Sequence, residues 1–91
     1  MKEFPIVEVQ WGDAWIDTDD YTFEEAKKLT PVIRKTIGYL INTTDDCLIL
    51  ATDLYKQSKS PSIKENTINT PMVIPLGMVL DWTALEFEGA E

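Results

Sequence analysis

The stretch Thr36–Ala51, TIGYLINTTDDCLILA, constrains this chain more than any other. It reads as two strands joined by a polar turn. Ile37, Tyr39 and Ile41 alternate on one side of the first arm, and Leu48 and Leu50 share one face of the second, with Ile49 on the other. Between the arms, Asn42-Thr43-Thr44-Asp45-Asp46 holds only turn-prone residues, whose side chains can bond their own backbone. A local hairpin of this kind commits the chain to a β architecture before any other segment is read.

The remaining segments are consistent with that start. Residues 5–11, PIVEVQW, alternate with period two, Val7, Val9 and Trp11 on one face and Ile6, Glu8 and Gln10 on the other, as in a half-buried strand. Pro5 suits an edge or a strand start, because it donates no ladder bond. WGDAWID reads as a strand that bends or bulges at Gly12. DTDDYTFEEAKKLTP predicts one short helix. Thr22 is its N-cap and Glu25 completes a capping box; Glu24 and Glu25 fall in the first turn, Lys27 and Lys28 in the last, and Pro31 ends it. So short a helix needs tertiary support, expected from Phe23, Ala26 and Leu29.

Val32–Asn42 is the second predicted strand. Gly38 in its middle removes a side chain where the strand must bend or another backbone must approach. Cys47–Tyr55 is the third. Residues 56–70, KQSKSPSIKENTINT, read as a long polar loop. Met72–Pro75 is a short strand, Pro75-Leu76-Gly77 a tight turn with 3₁₀ character, and Val79–Phe87 the last strand, with Leu80, Trp82 and Ala84 facing away from Val79, Asp81 and Thr83. The tail 88–91 is expected to fray. Five short strands with one short helix between strands 1 and 2 predict a mainly β, small, strongly bent barrel, residues 1–91 forming one domain.

Composition supports a globular chain: 44% of residues are apolar and nine are aromatic. A single cysteine, Cys47, cannot form an internal disulfide and reads as a small buried hydrophobe. No apolar run approaches the length of a membrane span and the N-terminus has no secretory pattern, so a soluble cytoplasmic protein is the expectation. The net charge of −8 opposes nucleic-acid binding by bulk electrostatics. The charge is unevenly placed. Residues 13–25 hold six acids and no base; residues 27–35 hold four bases and no acid. A solvated face with dipole complementarity accounts for most of this, and an anion site around Arg34 and Lys35 is the sharper alternative.

Two resemblances extend the reading. Gly38, Leu40, Asp45 or Asp46, and Leu48 or Leu50 resemble the first motif of the Sm-like family of small barrels; Ile74, Gly77, Val79 and Trp82 or Leu85 resemble its second. The resemblance spans roughly the C-terminal half. It implies an Sm-like or SH3-like five-stranded barrel, assembly of like subunits through their edge strands, and single-stranded RNA as one ligand class. The order Trp11, Asp13, Ala14, Trp15, Asp17, then a short helix, then Gly38-Tyr39-Leu40, then Ile74, Pro75, Gly77, Met78 and Val79, looks like a group of small bacteriophage proteins of unknown role. That resemblance implies a viral context, the host cytoplasm, and action against host enzymes or defence systems.

Few chemistries are open to the chain. It has no histidine, so acid–base work near neutral pH would need a shifted carboxylate, and a serine or threonine nucleophile would lack its usual base. One cysteine without histidine does not make a zinc site, and no glycine-rich phosphate loop is present. Asp13, Asp17, Asp19 and Asp20 lack EF-hand spacing and are better read as helix complementarity and a solvated loop. The expectation is a non-enzyme without cofactor or metal.

The best candidate site combines Trp11, Asp13, Trp15, Arg34 and Lys35. Tryptophan beside a basic side chain supplies a stacking surface and a cation for a nucleotide base and its phosphate, and Asp13 can accept from a ribose or base. For the tryptophans the commoner role is core. The leading expectation is a phage-type accessory protein that sequesters a small nucleotide-like ligand and forms homo-oligomers. The alternative is an acidic inhibitor that docks on a host protein through Asp17, Asp19 and Asp20; single-stranded RNA binding ranks third because of the charge. Leu76, Met72 and Met78 serve equally as a partner patch or as core.

Overall fold

The computed structural model describes residues 4–85. Among these residues seven strands form: β1 (Ile6–Asp13), β2 (Val32–Thr43), β3 (Cys47–Ala51), β4 (Asp53–Tyr55), β5 (Thr67–Asn69), β6 (Met72–Pro75) and β7 (Val79–Leu85). One helix, α1 (Phe23–Ala26), lies between β1 and β2, and a 3₁₀ turn, Leu76–Met78, joins β6 to β7. Five strands make one antiparallel sheet in the order β6-β3-β2-β1-β7, and β4 pairs with β5 separately. The mainly β expectation holds. The closed barrel does not: β6 and β7 are the two edges of the sheet and are not paired with each other.

The sheet is nevertheless strongly curled, for a reason of length. Four interstrand gaps put the edges of a flat sheet about 19 Å apart. The connection between them is a three-residue 3₁₀ turn, which advances only about 6 Å. The edges must therefore converge at that end, and the turn packs against both β1 and β3. Its start is fixed by the Leu76 amide, which donates to the Asp46 carbonyl at 2.8 Å.

Curling creates an inside. Val7, Val9 and Trp11 of β1, Leu48 and Leu50 of β3 and Ile74 of β6 are buried together, with Leu40 and Val79 packed against them. The period-two pattern of β1 places its three members as expected. In β7 a one-residue bulge intervenes: Gln10 faces Asp81 but Trp11 faces Val79, so Leu80 is the extra residue. Val79 thereby joins Trp82 and Ala84 on the core side, which corrects the strict alternation expected for this strand. A matching bulge at Ile41 lies between the pairs Leu40–Leu50 and Asn42–Ile49. The other face of the sheet leaves Ile33, Ile37 and Val73 exposed.

Gly38 shows why the curl needs a glycine. A β-carbon there would lie 2.9 Å from the Ala51 carbonyl oxygen, closer than side-chain carbons approach a backbone oxygen. Of the two reasons the sequence offered, close approach of another backbone is the operative one.

The hairpin turn is tighter than expected, since Asn42 and Thr43 remain in β2. Thr44 closes it: its amide donates to the Cys47 carbonyl at 2.9 Å, and its hydroxyl oxygen accepts from the amides of Asp46 and Cys47, each at 3.1 Å. Cys47 is half-buried. Beyond it, the expected strand Cys47–Tyr55 is broken at Thr52, and residues 67–69 of the expected loop form a strand. The β3–β6 and β4–β5 ladders share one register; continued through the break, Thr52 would face Thr70. Thr70 has φ of 50°, a left-handed conformation that a β-branched residue adopts only under constraint, and it marks the interruption. The expected tail and Phe87 lie outside the described residues.

The helix forms with its full capping box. The Glu25 amide donates to the Thr22 hydroxyl at 3.1 Å and the Thr22 amide to the Glu25 carboxylate at 3.0 Å. The bond from the Thr22 backbone is the main cause of a lowered Glu25 pKa. The expected packing is absent: no helix residue is buried and Phe23 is 86% exposed. Four residues bury too little surface to dock, so a cap contributing about 1 kcal/mol and the Lys27–Glu24 ion pair define the turn locally.

Replacing Gly38 with alanine should lower stability by about 1–3 kcal/mol, because the new methyl meets backbone that cannot rotate away. Urea denaturation should show a lower midpoint at unchanged slope. An unshifted midpoint would mean that β3 moves aside freely.

Candidate functional site

Antiparallel pairing decides which candidate residues meet. Trp11 faces Arg34 across the β1–β2 ladder, and Asp13 lies two residues further on the same face of β1. The Arg34 guanidinium donates to the Asp13 carboxylate at 3.0 Å and sits over the Trp11 ring, 5.5 Å from its centroid. Three of the five proposed ligand residues are therefore one contiguous unit. The ion pair is largely open to solvent and contributes at most about 1 kcal/mol, as does the cation–π contact at this exposure. Their value is geometric: the carboxylate is held in one orientation.

Lys35 does not join them. It faces Gln10, on the opposite side of the sheet from Trp11 and Arg34. The paired basic site expected at Arg34–Lys35 is thus split by the strand's own alternation, and the lysine has no part in this site.

The two tryptophans divide their roles. Trp11 is 8% exposed and its indole N–H donates to the Thr36 hydroxyl at 2.9 Å, diagonally across the ladder. It is core, with one face shielded by Arg34. Trp15 lies beyond the end of β1 and is 38% exposed; its indole N–H donates to the Thr30 carbonyl at 2.7 Å. That bond ties the start of the excursion between β1 and β2 to its end, although every residue from 14 to 35 is exposed.

Trp15 forms one wall of an open cavity of about 520 Å³. Ala14, Leu29, Pro31, Met78 and Leu80 add to its apolar lining, and Asp13 and Thr30 are its polar residues. The bulge in β7 explains Leu80, which the pairing register skips and which here turns to the cavity. The 3₁₀ turn supplies Met78, so the feature that curls the sheet also builds this wall. Leu29, Pro31 and Leu80 were not legible as site residues, and Met78 was read only as part of an apolar patch with Met72 and Leu76. Their only signal was apolar character in polar or turn-rich surroundings. Trp82 is 45% exposed on the core side of β7 and does not line this cavity. Met72 and Leu76 are each more than a third exposed, as is Met78.

The acidic segment forms its own small network. The Tyr21 hydroxyl donates to the Asp17 carboxylate, and the Asp19 amide donates to the same carboxylate at 3.0 Å. These bonds, the tyrosine's first, lower the Asp17 pKa, and the same contact raises that of Tyr21. Asp19 and Asp20 are exposed. Among the described residues no group of three or more acids or cysteines converges to hold a metal, and no helix is long and apolar enough to cross a membrane.

Carboxyl titration by NMR should place the Asp17 midpoint below the ordinary value of 3.8, and Tyr21→Phe should move it upward. The sign follows from linkage. A depressed pKa means that the Asp17–Tyr21 contact favours the native loop above the unfolded value and is lost as pH falls through the folded one. A midpoint at or above the ordinary value would show that the contact does not persist in solution.

No family model matches the chain, and no curated protein and no solved structure matches it.

Proposed function

We propose that the chain is a non-enzymatic, phage-type accessory protein that binds and sequesters a small nucleotide-like ligand in the cavity beside Trp15. The single observation that supports this most is the cavity itself. An apolar hollow of about 520 Å³ has an indole in one wall and an oriented carboxylate at its side, the arrangement a planar heterocycle requires. In this reading the ligand's ring lies against Trp15, and Asp13 accepts from the base or ribose. Arg34 holds Asp13 in place, and Trp11 anchors Arg34 to the core. The resemblance to small bacteriophage proteins supports a counter-defence setting. The edge strands β6 and β7, which have no outer partner among the described residues, support assembly with further copies of the chain.

Isothermal titration with a panel of cyclic and ADP-ribose-type nucleotides tests the reading. At least one should bind, and Trp15→Ala should weaken it by about tenfold or more, the loss of one base–indole stack. Circular dichroism checks that the variant is folded. No heat from any member at high protein concentration sinks the proposal.

A second reading draws on the acidic excursion. Residues 13–25 carry six acids and no base, and from residue 14 onward all are exposed. Such a surface suits docking on a basic host protein. Asp19→Lys combined with Asp20→Lys should remove a specific partner in pull-downs from host lysate while leaving nucleotide titrations unchanged. An unaltered partner set counts against this reading.

A further inference from the structure

We infer that the cavity beside Trp15 selects its ligand through N–H donors on a ring, and that a phosphate on that ligand contributes little. The inference rests on the reading above and names the recognition chemistry of that same site.

The cations come first. Among the described residues no lysine or arginine lines the cavity. Arg34 stands beside it, but its guanidinium already donates to Asp13 and covers Trp11. Only Nη1 is engaged with Asp13, and the remaining N–H groups belong to a residue that does not line the cavity. Lys35, the other base the sequence offered, lies on the far face of the sheet. Neutral side-chain donors are also few. The Trp15 N–H is engaged by the Thr30 carbonyl, which leaves the Thr30 hydroxyl as the side-chain donor of the lining. One hydroxyl is a weak side-chain counterpart for a phosphate, which binds most strongly to charged donors.

The acceptors tell the opposite story. Arg34 binds only one oxygen of Asp13, Oδ2, at 3.0 Å. Oδ1 has no hydrogen-bond partner among the described residues, and the Asp13 side chain is 30% exposed. The site thus presents a negatively charged acceptor, fixed in direction, beside apolar walls. A ring N–H or exocyclic amine meets it with a charge-assisted hydrogen bond. A phosphate at the same point meets an acceptor that offers it no proton, within a molecule whose net charge is −8.

The test is titration calorimetry on the full chain with adenosine and AMP and with guanosine and GMP, at low and at moderate salt. In any pair that binds, nucleoside and monophosphate should agree within about threefold at both salt concentrations. Asp13→Asn keeps an acceptor for Arg34 but removes the charge, and it should weaken nucleoside binding by about tenfold or more with an unchanged dichroism spectrum. A monophosphate about tenfold or more tighter than its nucleoside, with the difference lost in Arg34→Gln, overturns the inference and leaves the parent reading standing. Nucleoside binding unaffected by Asp13→Asn also overturns it. Silence from both pairs overturns it as well; if the cyclic and ADP-ribose-type panel is silent too, the parent reading falls with it.

Discussion

The structure depends on a short tether. Leu76–Met78 spans the two edges of a five-stranded sheet with three residues, and no flat sheet can satisfy that connection. The chain resolves the conflict by curling. Curling brings β3 so close to β2 that only a glycine fits at position 38, where a β-carbon would meet the Ala51 oxygen at 2.9 Å. It also lets a single sheet enclose Val7, Val9, Trp11, Leu48, Leu50 and Ile74 without a second layer. The bulges at Leu80 and Ile41 belong to the same solution, since each adds a residue on one strand and so increases local bending. Closure by hydrogen bonds is not required for any of this. The tether does by covalent connection what the missing β6–β7 ladder would do by pairing.

Trp11 joins the core to the surface. Its ring is packed among the buried residues, its N–H is satisfied by Thr36, and its remaining face carries the Arg34 guanidinium. Arg34 in turn holds Asp13. A half-buried carboxylate thus takes its orientation from a buried indole through one cation, although neither the ion pair nor the cation–π contact is strong by itself. The cavity wall shares that dependence on the frame. Met78 comes from the tether and Leu80 from the bulge, so their positions follow from how the sheet curls.

What the sequence made legible follows from the range of the interactions involved. The hairpin around Thr44, the β1 alternation and the capping box of Thr22 and Glu25 are set by residues close in sequence, and all three are present. The glycine at position 38 was readable as a demand for space, though not what would fill it. The break at Thr52 and Thr70 was only half readable: Pro71 follows Thr70 and donates no ladder bond, but nothing marks Thr52, and the shared register of the flanking ladders emerges only when both strands are placed. Strand β5, TIN, lay hidden in polar sequence because its pairing with Asp53–Tyr55 needs little burial of its own. Helix docking through Phe23 failed for a related reason, since an apolar residue in a four-residue helix specifies a face and not a partner.

Alternation also explains why the candidate site was half legible. A pair of adjacent bases on a strand looks like doubled charge in sequence, yet neighbouring side chains on a strand point to opposite faces. Arg34 therefore reaches Asp13 and Trp11, and Lys35 cannot. Arg34 and Asp13 offset each other's charge, and what the pair leaves at the cavity is an unshared acceptor, the second oxygen of Asp13, in a molecule of net charge −8. The basic segment 27–35 suggested an anion site because it was read along the chain. Folded, its side chains divide among two sheet faces and a helix end, where Lys27 meets Glu24, and no two of them meet at the cavity. The chemistry of the hollow is set by which side chains share a face, and that division makes it an acceptor beside an indole.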